Sequence, residues 1–460
     1  MKGKVALRTG HFATDFSPKS KRLHYIIAVM KASSFSRKVI LDLGPLGYSH
    51  DHKSGARGIH RLTQYLFEGL LAANTCELKF VATSHLAGVY DMLSDRGLAP
   101  QEVLKYEASQ LRLSRLGRRA ARWVHAHMGP PGLGVRAQRK LMASLAASAC
   151  SGEKLIPSRF LKGADIYHSP LAPIPSSVRR HKTLKHFLTV HDLLPLTVPQ
   201  YLKGNSRPYI TKLLKSLSPE SFVFCTSESV KSDLLTYSPV PLQHIFITPL
   251  AADRRMFYPV GEAAKISGAR KKYGIPDAPY FLTLSSFDPR KNFEHIIRCF
   301  STLVRSGQAK DFNLVIVGSN PERNQFVETA MTEHPHIQRQ IIMPGFIPDE
   351  DLAAIYSGAL SFLFPSLGEG FGIPVLEAMQ CGTPVISSNT TSLPEVVGKA
   401  GILLDPFDIE AWCQAMISLS DNLNERNCLR EQGIARAALF TWEKFIETTQ
   451  AGYAFACNQT

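Results

Sequence analysis

Residues 362–387 read FLFPSLGEGFGIPVLEAMQCGTPVIS, and this stretch decides the fold. The apolar run Leu360–Phe364 predicts a buried strand that ends in a glycine-containing loop. Pro374 suits the first turn of a helix, because its fixed φ fits there and its missing N–H has no helical partner. The helix predicted over Val375–Gln380 then stops at a Cys-Gly pair. A strand that feeds a helix N-terminus in this way is where open α/β sheets bind phosphates and hydroxylated ligands.

Two glutamates lie in this stretch, one in the loop and one in the helix that follows it. Glu369 lies in the loop and Glu377 lies eight residues on, near the start of the predicted helix, so both carboxylates can face one crevice. A carboxylate can accept hydrogen bonds from two hydroxyls of a sugar ring. Gly370 and Gly372, on either side of Phe371, allow backbone N–H groups to approach a ligand closely. The segment therefore predicts a binding site for a sugar or a nucleotide.

Outward from this segment, short apolar runs alternate with longer amphipathic stretches. Continuous apolar strands between helices indicate parallel sheets that are buried on both faces. Because the pattern occurs twice in 460 residues, we predict an α/β protein with two doubly wound, Rossmann-like domains facing across a cleft. The predicted strands are Lys38–Leu43, Leu78–Thr83, Asp165–His168, His186–Val190 and Phe222–Thr226, followed by Tyr280–Leu284, Asn313–Val317, Gln340–Met343, Leu360–Phe364 and Pro384–Ser387.

The domain boundary is predicted near Thr248–Asp253, where a strand-like run meets a stretch punctuated by proline. The predicted organisation has four parts. They are a basic N-terminal extension over 1–37, a first domain over 38–250 with a basic insert at about 100–160, a second domain over 251–440, and a C-terminal helix over 441–460 that packs back on the first domain.

The composition is that of a folded protein, with 44% hydrophobic and 20% charged residues. The net charge of +15 favours anionic partners. Residues 108–152 contain no acidic side chain but many arginines. Within the basic segment 110–140, Leu113, Leu116, Ala120 and Trp123 share one helical face beside an arginine face, which is typical of a helix lying on anionic lipid. A solvated basic helix or a mobile loop remains an alternative.

The compartment is predicted from three absences in the sequence. The first residues lack the apolar stretch of a signal peptide, and no apolar run approaches the roughly 20 residues of a membrane helix. The eight cysteines are spread singly, with no CxxC pair. We therefore expect a cytoplasmic protein, and docking of the basic segment would make it peripheral on the inner face of the membrane.

The string from Glu369 to Glu377 resembles the Glu-x7-Glu signature of glycosyltransferase family four, whose members have the GT-B fold and retain the configuration at the anomeric carbon. A second string, LSSFDPRKNF at 284–293, resembles the family's donor-diphosphate site. The resemblance implies that Arg290 and Lys291 grip the diphosphate, although Ser285 replaces a frequent glycine. It implies further that Glu369 positions the transferred sugar and that Glu377 binds the nucleotide ribose.

Three weaker matches complete the resemblance. In TVHDLLP at 189–195, His191 corresponds to the family's histidine that faces the transferred sugar from the first domain. Gly58 and Arg61 match a glycine loop near the phosphate or the acceptor, but His60 replaces its second glycine. Gly318 and Ile347 match positions at strand ends that border the nucleotide base in the family. The resemblance therefore implies two sets of site residues. The catalytic candidates are Glu369, His191, Arg290 and Lys291, and the substrate-binding candidates are Glu377, Gly370, Phe371, Gly372, Gly58, Gly318 and Ile347.

The resemblance implies a hexosyltransferase without a cofactor or a metal. The Asp-x-Asp string Asp349-Glu350-Asp351 is interpreted as an acidic first turn of a helix and not as a metal site. Likeness to bacterial mannosyltransferases favours GDP-mannose as donor and a glycan or lipid-linked acceptor, with UDP-hexose and dTDP-rhamnose open as donors. The alternatives are an epimerase or a phosphorylase of the same fold, a basic nucleic-acid-binding protein, or a non-catalytic partner. No nucleic-acid motif appears, so nucleic acid is not expected as a partner.

Overall fold

The computed structural model describes residues 37–51, 57–104, 110–112, 114–116, 119, 156, 158–202, 206–284, 288–318 and 325–459. Within them the chain forms two six-stranded sheets, and every strand pair is parallel. The predicted α/β class with two doubly wound domains is confirmed. Residues 1–36 of the N-terminal extension, the Ser285 position and most of the basic segment lie outside the described residues.

The first sheet has the strand order β2-β1-β3-β4-β5-β6. Its strands are β1 (Lys38–Asp42), β2 (Glu77–Val81), β3 (Ile166–Ser169), β4 (Lys185–Val190), β5 (Phe222–Cys225) and β6 (Ile245–Ile247). The helices of this half are α1 (Gly44–Asp51), α2 (Arg57–Ala73), α3 (Leu86–Asp95), α4 (Pro100–Leu104), α5 (Ser158–Leu161), α6 (Ser176–Arg179), α7 (Leu194–Thr197), α8 (Arg207–Leu214) and α9 (Glu228–Tyr237).

The second sheet has the order β12-β11-β10-β7-β8-β9. Its strands are β7 (Tyr280–Leu284), β8 (Asn313–Val317), β9 (Ile341–Gly345), β10 (Ser361–Phe364), β11 (Val385–Ser388) and β12 (Ile402–Leu404). The helices of this half are α10 (Ala263–Lys272), α11 (Phe293–Arg305), α12 (Gln325–Glu333), α13 (Asp349–Ser357), α14 (Ile373–Gln380), α15 (Leu393–Val397), α16 (Ile409–Asp421), α17 (Leu423–Ala437) and α18 (Trp442–Asn458).

The second sheet reverses its strand order between β7 and β10. The chain runs outward from β7 through β8 to β9 and then returns to β10 on the other side of β7. Both central strands are buried along their whole length, as expected for apolar runs covered by helices on two faces. In an open α/β sheet, the crevice outside the carboxyl ends of two such strands is where ligands bind.

The last helix, α18, packs on the first sheet. Tyr453 of this helix makes a 2.7 Å hydrogen bond with Nδ1 of His168, and its ring lies edge-on to Phe187 with the ring centroids 5.1 Å apart. Gly452 lies so close to Phe224 that an added Cβ would be 2.8 Å from that ring. The chain therefore crosses from the second domain to the first and fastens one to the other.

Candidate active site in the cleft between the two sheets

Three charged side chains meet at the carboxyl ends of β7 and β10. The Glu369 carboxylate forms an ion pair with Lys291 and a second ion pair, at 2.9 Å, with Nη1 of Arg290. The Ser366 hydroxyl donates a 2.7 Å hydrogen bond to the same carboxylate. Glu369 and Lys291 are both buried. The sequence-predicted residues Glu369, Arg290 and Lys291 thus lie together in the crevice where the strand order reverses.

The turn that carries the two cations is built locally. Asp288 begins a single 3-10 turn, Pro289–Lys291, and its carboxylate accepts a 3.1 Å hydrogen bond from the Arg290 N–H. Asn292 then takes a left-handed conformation at φ 55°, which starts α11 in a new direction. The turn is tied to the glutamate loop, because the Leu367 N–H donates a 2.7 Å hydrogen bond to the Arg290 carbonyl.

The protonation of Glu369 follows from these contacts. Burial by itself raises the pKa of Glu369, but the charges of Lys291 and Arg290 outweigh it and lower the pKa to about 2. Burial lowers the pKa of Lys291, and the Glu369 carboxylate opposes that shift. The low pKa of Glu369 requires both cations to be charged. Glu369 is therefore a permanent hydrogen-bond acceptor and cannot act as a proton donor near neutral pH.

Glu377 is held by the other domain. Arg61, on α2 of the first domain, forms ion pairs with both Glu377 and Asp349 of the second domain. Its side chain is 12% exposed, and its guanidinium carbon lies 5.3 Å from the centre of the Phe257 ring. Tyr356 donates a further hydrogen bond of 3.3 Å to Glu377. One arginine thus bridges the cleft and contacts the carboxylate assigned to the ribose.

Burial lowers the pKa of the Arg61 guanidinium, but its two carboxylate partners outweigh that effect and raise it overall. Sequence reasoning missed this role of Arg61. The only local signal was its position in the string that begins the α2 helix, three residues after Gly58. Asp349 lies in the acidic first turn of α13, the position that the sequence predicted for the Asp-x-Asp string.

His191 follows β4 and reaches the same cleft from the first domain. Its Nε2 lies 2.8 Å from the Pro170 carbonyl oxygen, which can only accept, so Nε2 carries the proton. Burial lowers the pKa of His191, with the Pro170 bond opposing, so the ring is neutral at physiological pH. Its Nδ1 is then an acceptor, suited to a hydroxyl group.

Gly370 is a point of close contact between the two domains. A Cβ at Gly370 would overlap the His191 carbonyl oxygen, so no other residue fits without movement of one domain. The Gly370 carbonyl accepts two 2.9 Å hydrogen bonds, from the hydroxyls of Thr226 and Ser227 at the end of β5. The loop that carries Glu369 is thereby fixed against the loop that carries His191.

The remaining predicted residues lie on other elements of the two domains. Gly372 has φ 108° and precedes α14, as the loop-to-helix transition requires. Phe371 is buried, and its ring lies edge-on to Phe440 at 5.7 Å. Gly58 lies in the first turn of α2, Gly318 follows β8, and buried Ile347 follows β9.

A cavity of about 280 Å³ opens beside His191. Its lining comes from both domains, with Asp192 and Tyr209 on one side and Asp288 and Arg290 on the other. Asp192 also holds its own loop, because its carboxylate accepts a 3.2 Å hydrogen bond from the Leu194 N–H. Among the described residues, no three His, Cys, Asp or Glu side chains are grouped as metal ligands.

Known proteins resemble this chain in sequence and in structure. Residues 266–436 match the family described as Glycosyl transferases group 1. The O-antigen chain mannosyltransferase B of Escherichia coli is 31% identical over 63% of this chain and 74% of its own length. The serotype-specific mannosyltransferase WbdA of Escherichia coli is also 31% identical, but the match covers only 32% of that longer protein.

Among solved structures, sucrose-phosphate synthase of Thermosynechococcus elongatus superposes with a TM-score of 0.61. It is 20% identical, and the match covers 92% of this chain and all of that one. At this level of identity the likeness establishes the GT-B fold that the strand order already indicates.

Proposed function

This chain belongs to the group 1 glycosyl transferases, and from that premise we propose that it transfers mannose, with retention, from GDP-mannose to a hydroxyl of a surface glycan. That it is a glycosyltransferase follows from the family. The sugar, the nucleotide and the acceptor are the proposal. The mannosyltransferase relatives favour mannose, while UDP-hexose and dTDP-rhamnose remain the alternative donors.

The observation that carries the proposal is the cluster of Glu369, Arg290 and Lys291 at the reversal of the second sheet. A departing diphosphate gains negative charge, and preorganised cations in a buried site stabilise that charge most strongly. Lys291 and Arg290 are such cations. Glu369 stays ionised, so it can hold the hydroxyls of the transferred sugar. Glu377 in turn supports the ribose once Arg61 releases it.

The proposed reaction needs no protein nucleophile. The acceptor oxygen bonds to the anomeric carbon on the face from which the diphosphate departs. The electron pair of the broken carbon–oxygen bond goes to the diphosphate oxygen, which takes the acceptor proton. Neutral His191 accepts a hydrogen bond from the sugar at Nδ1 and orients the reacting face. Arg290 and Lys291 stabilise the leaving group throughout.

The test measures transfer by the purified protein from GDP-mannose, UDP-glucose and dTDP-rhamnose. In parallel, the rise in the protein's melting temperature is measured with GDP, UDP and dTDP. We expect GDP and GDP-mannose to give the largest shift and the fastest transfer. If only a nucleotide sugar other than GDP-mannose supports transfer, the choice of donor is wrong. Turnover of the donor to an isomer without acceptor, or dependence on phosphate, would favour the epimerase or phosphorylase alternative.

The site assignment is tested by Lys291→Ala. We expect kcat to fall by about 10²–10³, the usual loss when one group that stabilises a developing anion is removed. Lys265→Ala is the matched control, because Lys265 lies on the surface of the same domain in an exposed pair with Glu262. Full activity of Lys291→Ala would contradict the assignment.

A lipid-linked acceptor would place the protein at a membrane surface, and we propose the basic segment 110–140 as the contact. Among the described residues, no helix has the length and hydropathy needed to cross a bilayer. Arg112 and Arg119 are exposed, so lipid headgroups can reach their charges, whereas exposed Arg115 also forms a 3.6 Å ion pair with Asp91. Flotation with anionic vesicles at moderate salt tests the contact, and absence of binding would count against it.

A further inference from the structure

The cavity beside His191 has room for one sugar ring. Its volume is about 280 Å³, and small-molecule sites usually occupy roughly 300–1,000 Å³. It opens directly beside Arg290, whose guanidinium belongs to the Glu369 cluster. A ring seated there would lie next to the transferred sugar, whereas several sugars or a lipid chain would extend beyond it.

The charges that line this cavity are unfavourable for phosphate. Asp192 and Asp288 both contribute carboxylates to the lining; burial raises the pKa of Asp192, and the positive charge of Arg290 opposes that shift. Arg290 is the only lysine or arginine among the described lining residues, and in the proposed reaction it is committed to the donor diphosphate. His191 is neutral, because burial lowers its pKa. The diphosphate of a bound donor would add further negative charge beside the cavity.

The rest of the lining suits the apolar face of a sugar ring. Leu171, Pro195, Leu202 and Ile210 form an apolar wall beside the aromatic ring of Tyr209. The Tyr209 hydroxyl donates a 3.2 Å hydrogen bond to the Leu171 carbonyl, which holds the ring in place at the mouth. An aromatic ring and an apolar wall cover C–H groups, while carboxylates accept hydroxyl protons.

We propose that this cavity seats the terminal sugar of the acceptor and selects a ring that carries no phosphate of its own. Asp192 and Asp288 accept hydrogen bonds from the hydroxyls of that ring, and the apolar wall covers its C–H face. The inference rests on the proposed transferase function. It predicts that the enzyme extends a glycan whose end is at least one sugar away from any lipid phosphate, and that it does not prime a sugar phosphate.

The first experiment compares paired acceptors with GDP-mannose as donor. Benzyl glycosides of mannose, galactose and N-acetylglucosamine are set against the corresponding sugar 1-phosphates, which keep the same free hydroxyls. We expect kcat/KM to be at least about tenfold higher for the preferred glycoside than for its 1-phosphate, equivalent to about 1.4 kcal/mol. Equal or faster transfer to the 1-phosphate would overturn the inference.

Asp192→Asn tests the charge of the cavity while keeping its shape. We expect KM for the glycoside to rise and the preference over the 1-phosphate to shrink to about threefold or less, since one repelling charge is gone. An unchanged preference would show that Asp192 does not select the acceptor. The KM for GDP-mannose should stay near the wild-type value.

Tyr209→Ala tests the wall, with Tyr237→Ala as its control. Both tyrosines are 43% exposed on helices of the first domain, but only Tyr209 lines the cavity. We expect Tyr209→Ala to raise KM for the acceptor by about tenfold and leave KM for the donor unchanged, and Tyr237→Ala to change neither. A wild-type acceptor KM in Tyr209→Ala would refute the cavity assignment alone. Failure to transfer from any nucleotide sugar would refute the proposed function and the inference with it.

Discussion

Glu369 and Glu377 lie eight residues apart and are both buried, but their cations come from different domains. Glu369 is paired with Arg290 and Lys291 of its own domain. Glu377 is paired with Arg61, which reaches across the cleft from α2. The difference shows that the charge of Glu369 is neutralised within one domain, whereas the charge of Glu377 is neutralised by a contact across the cleft.

Glu369→Gln should have the largest effect. The substitution leaves Arg290 and Lys291 without their carboxylate and removes the acceptor for the sugar hydroxyls, so we expect kcat to fall by about 10³. We also expect the free energy of unfolding to drop by about 3 kcal/mol, because a broken buried pair leaves an uncompensated charge. Steady-state kinetics and urea unfolding measure both. Near-wild-type kcat would show that the cluster within the second domain is structural.

Gly370→Ala should have the next largest effect. The added methyl group overlaps the His191 carbonyl and forces the two loops apart, so we expect kcat to fall by about 10²-fold through misplacement of the reacting groups. Gly433→Ala is the control, because Gly433 is buried and an added Cβ there would meet Met379 at an ordinary 3.6 Å. Equal activities of the two variants would show that the close contact between Gly370 and His191 is not needed for activity.

Arg61→Ala should have a smaller effect that differs in kind. In the wild type the Arg61–Glu377 ion pair must break before Glu377 can bind the ribose. Without Arg61 this cost is absent, so we expect the Kd for GDP to fall by about fivefold. The unliganded protein should lose about 2 kcal/mol of stability, because two partly buried carboxylates lose their partner. Calorimetric titration and thermal unfolding measure these effects. Weaker GDP binding would show instead that Arg61 contacts the nucleotide directly.

The pH dependence should be the smallest effect near neutrality. The pKa of Glu369 is lowered to about 2 from an ordinary value of 4.5, so its contribution to stability is complete above pH 4.5 and is lost as pH falls toward 2. We therefore expect that protonation of Glu369 causes no loss of transferase activity between pH 6 and 8. Acid unfolding of the wild type compared with Glu369→Gln tests this, and equal acid sensitivity of the two proteins would contradict it.

The sequence predicted what local patterns encode. Tyr280–Leu284 and Asn313–Val317 are continuous apolar runs, and both strands are found with the predicted bounds. Two strands, Ile245–Ile247 and Ile402–Leu404, were not predicted as such. Each is three residues long and lies at a sheet edge, where partial exposure leaves little pattern.

The contacts across the cleft could not be predicted, because they depend on how two separately encoded domains sit against each other. Arg61 and Glu377 are 316 positions apart. Glu395 accepts two 2.7 Å hydrogen bonds from the N–H groups of Glu228 and Ser229 at the start of α9 in the other domain. No periodicity or motif in either segment indicates its partner.

The structure of the protein with GDP bound tests the central claim most directly. We expect the diphosphate to contact Lys291 and Arg290, the ribose hydroxyls to bind Glu377, and Arg61 to be released from that carboxylate. A nucleotide bound elsewhere, or one bound while the Arg61–Glu377 ion pair stays intact, would contradict it.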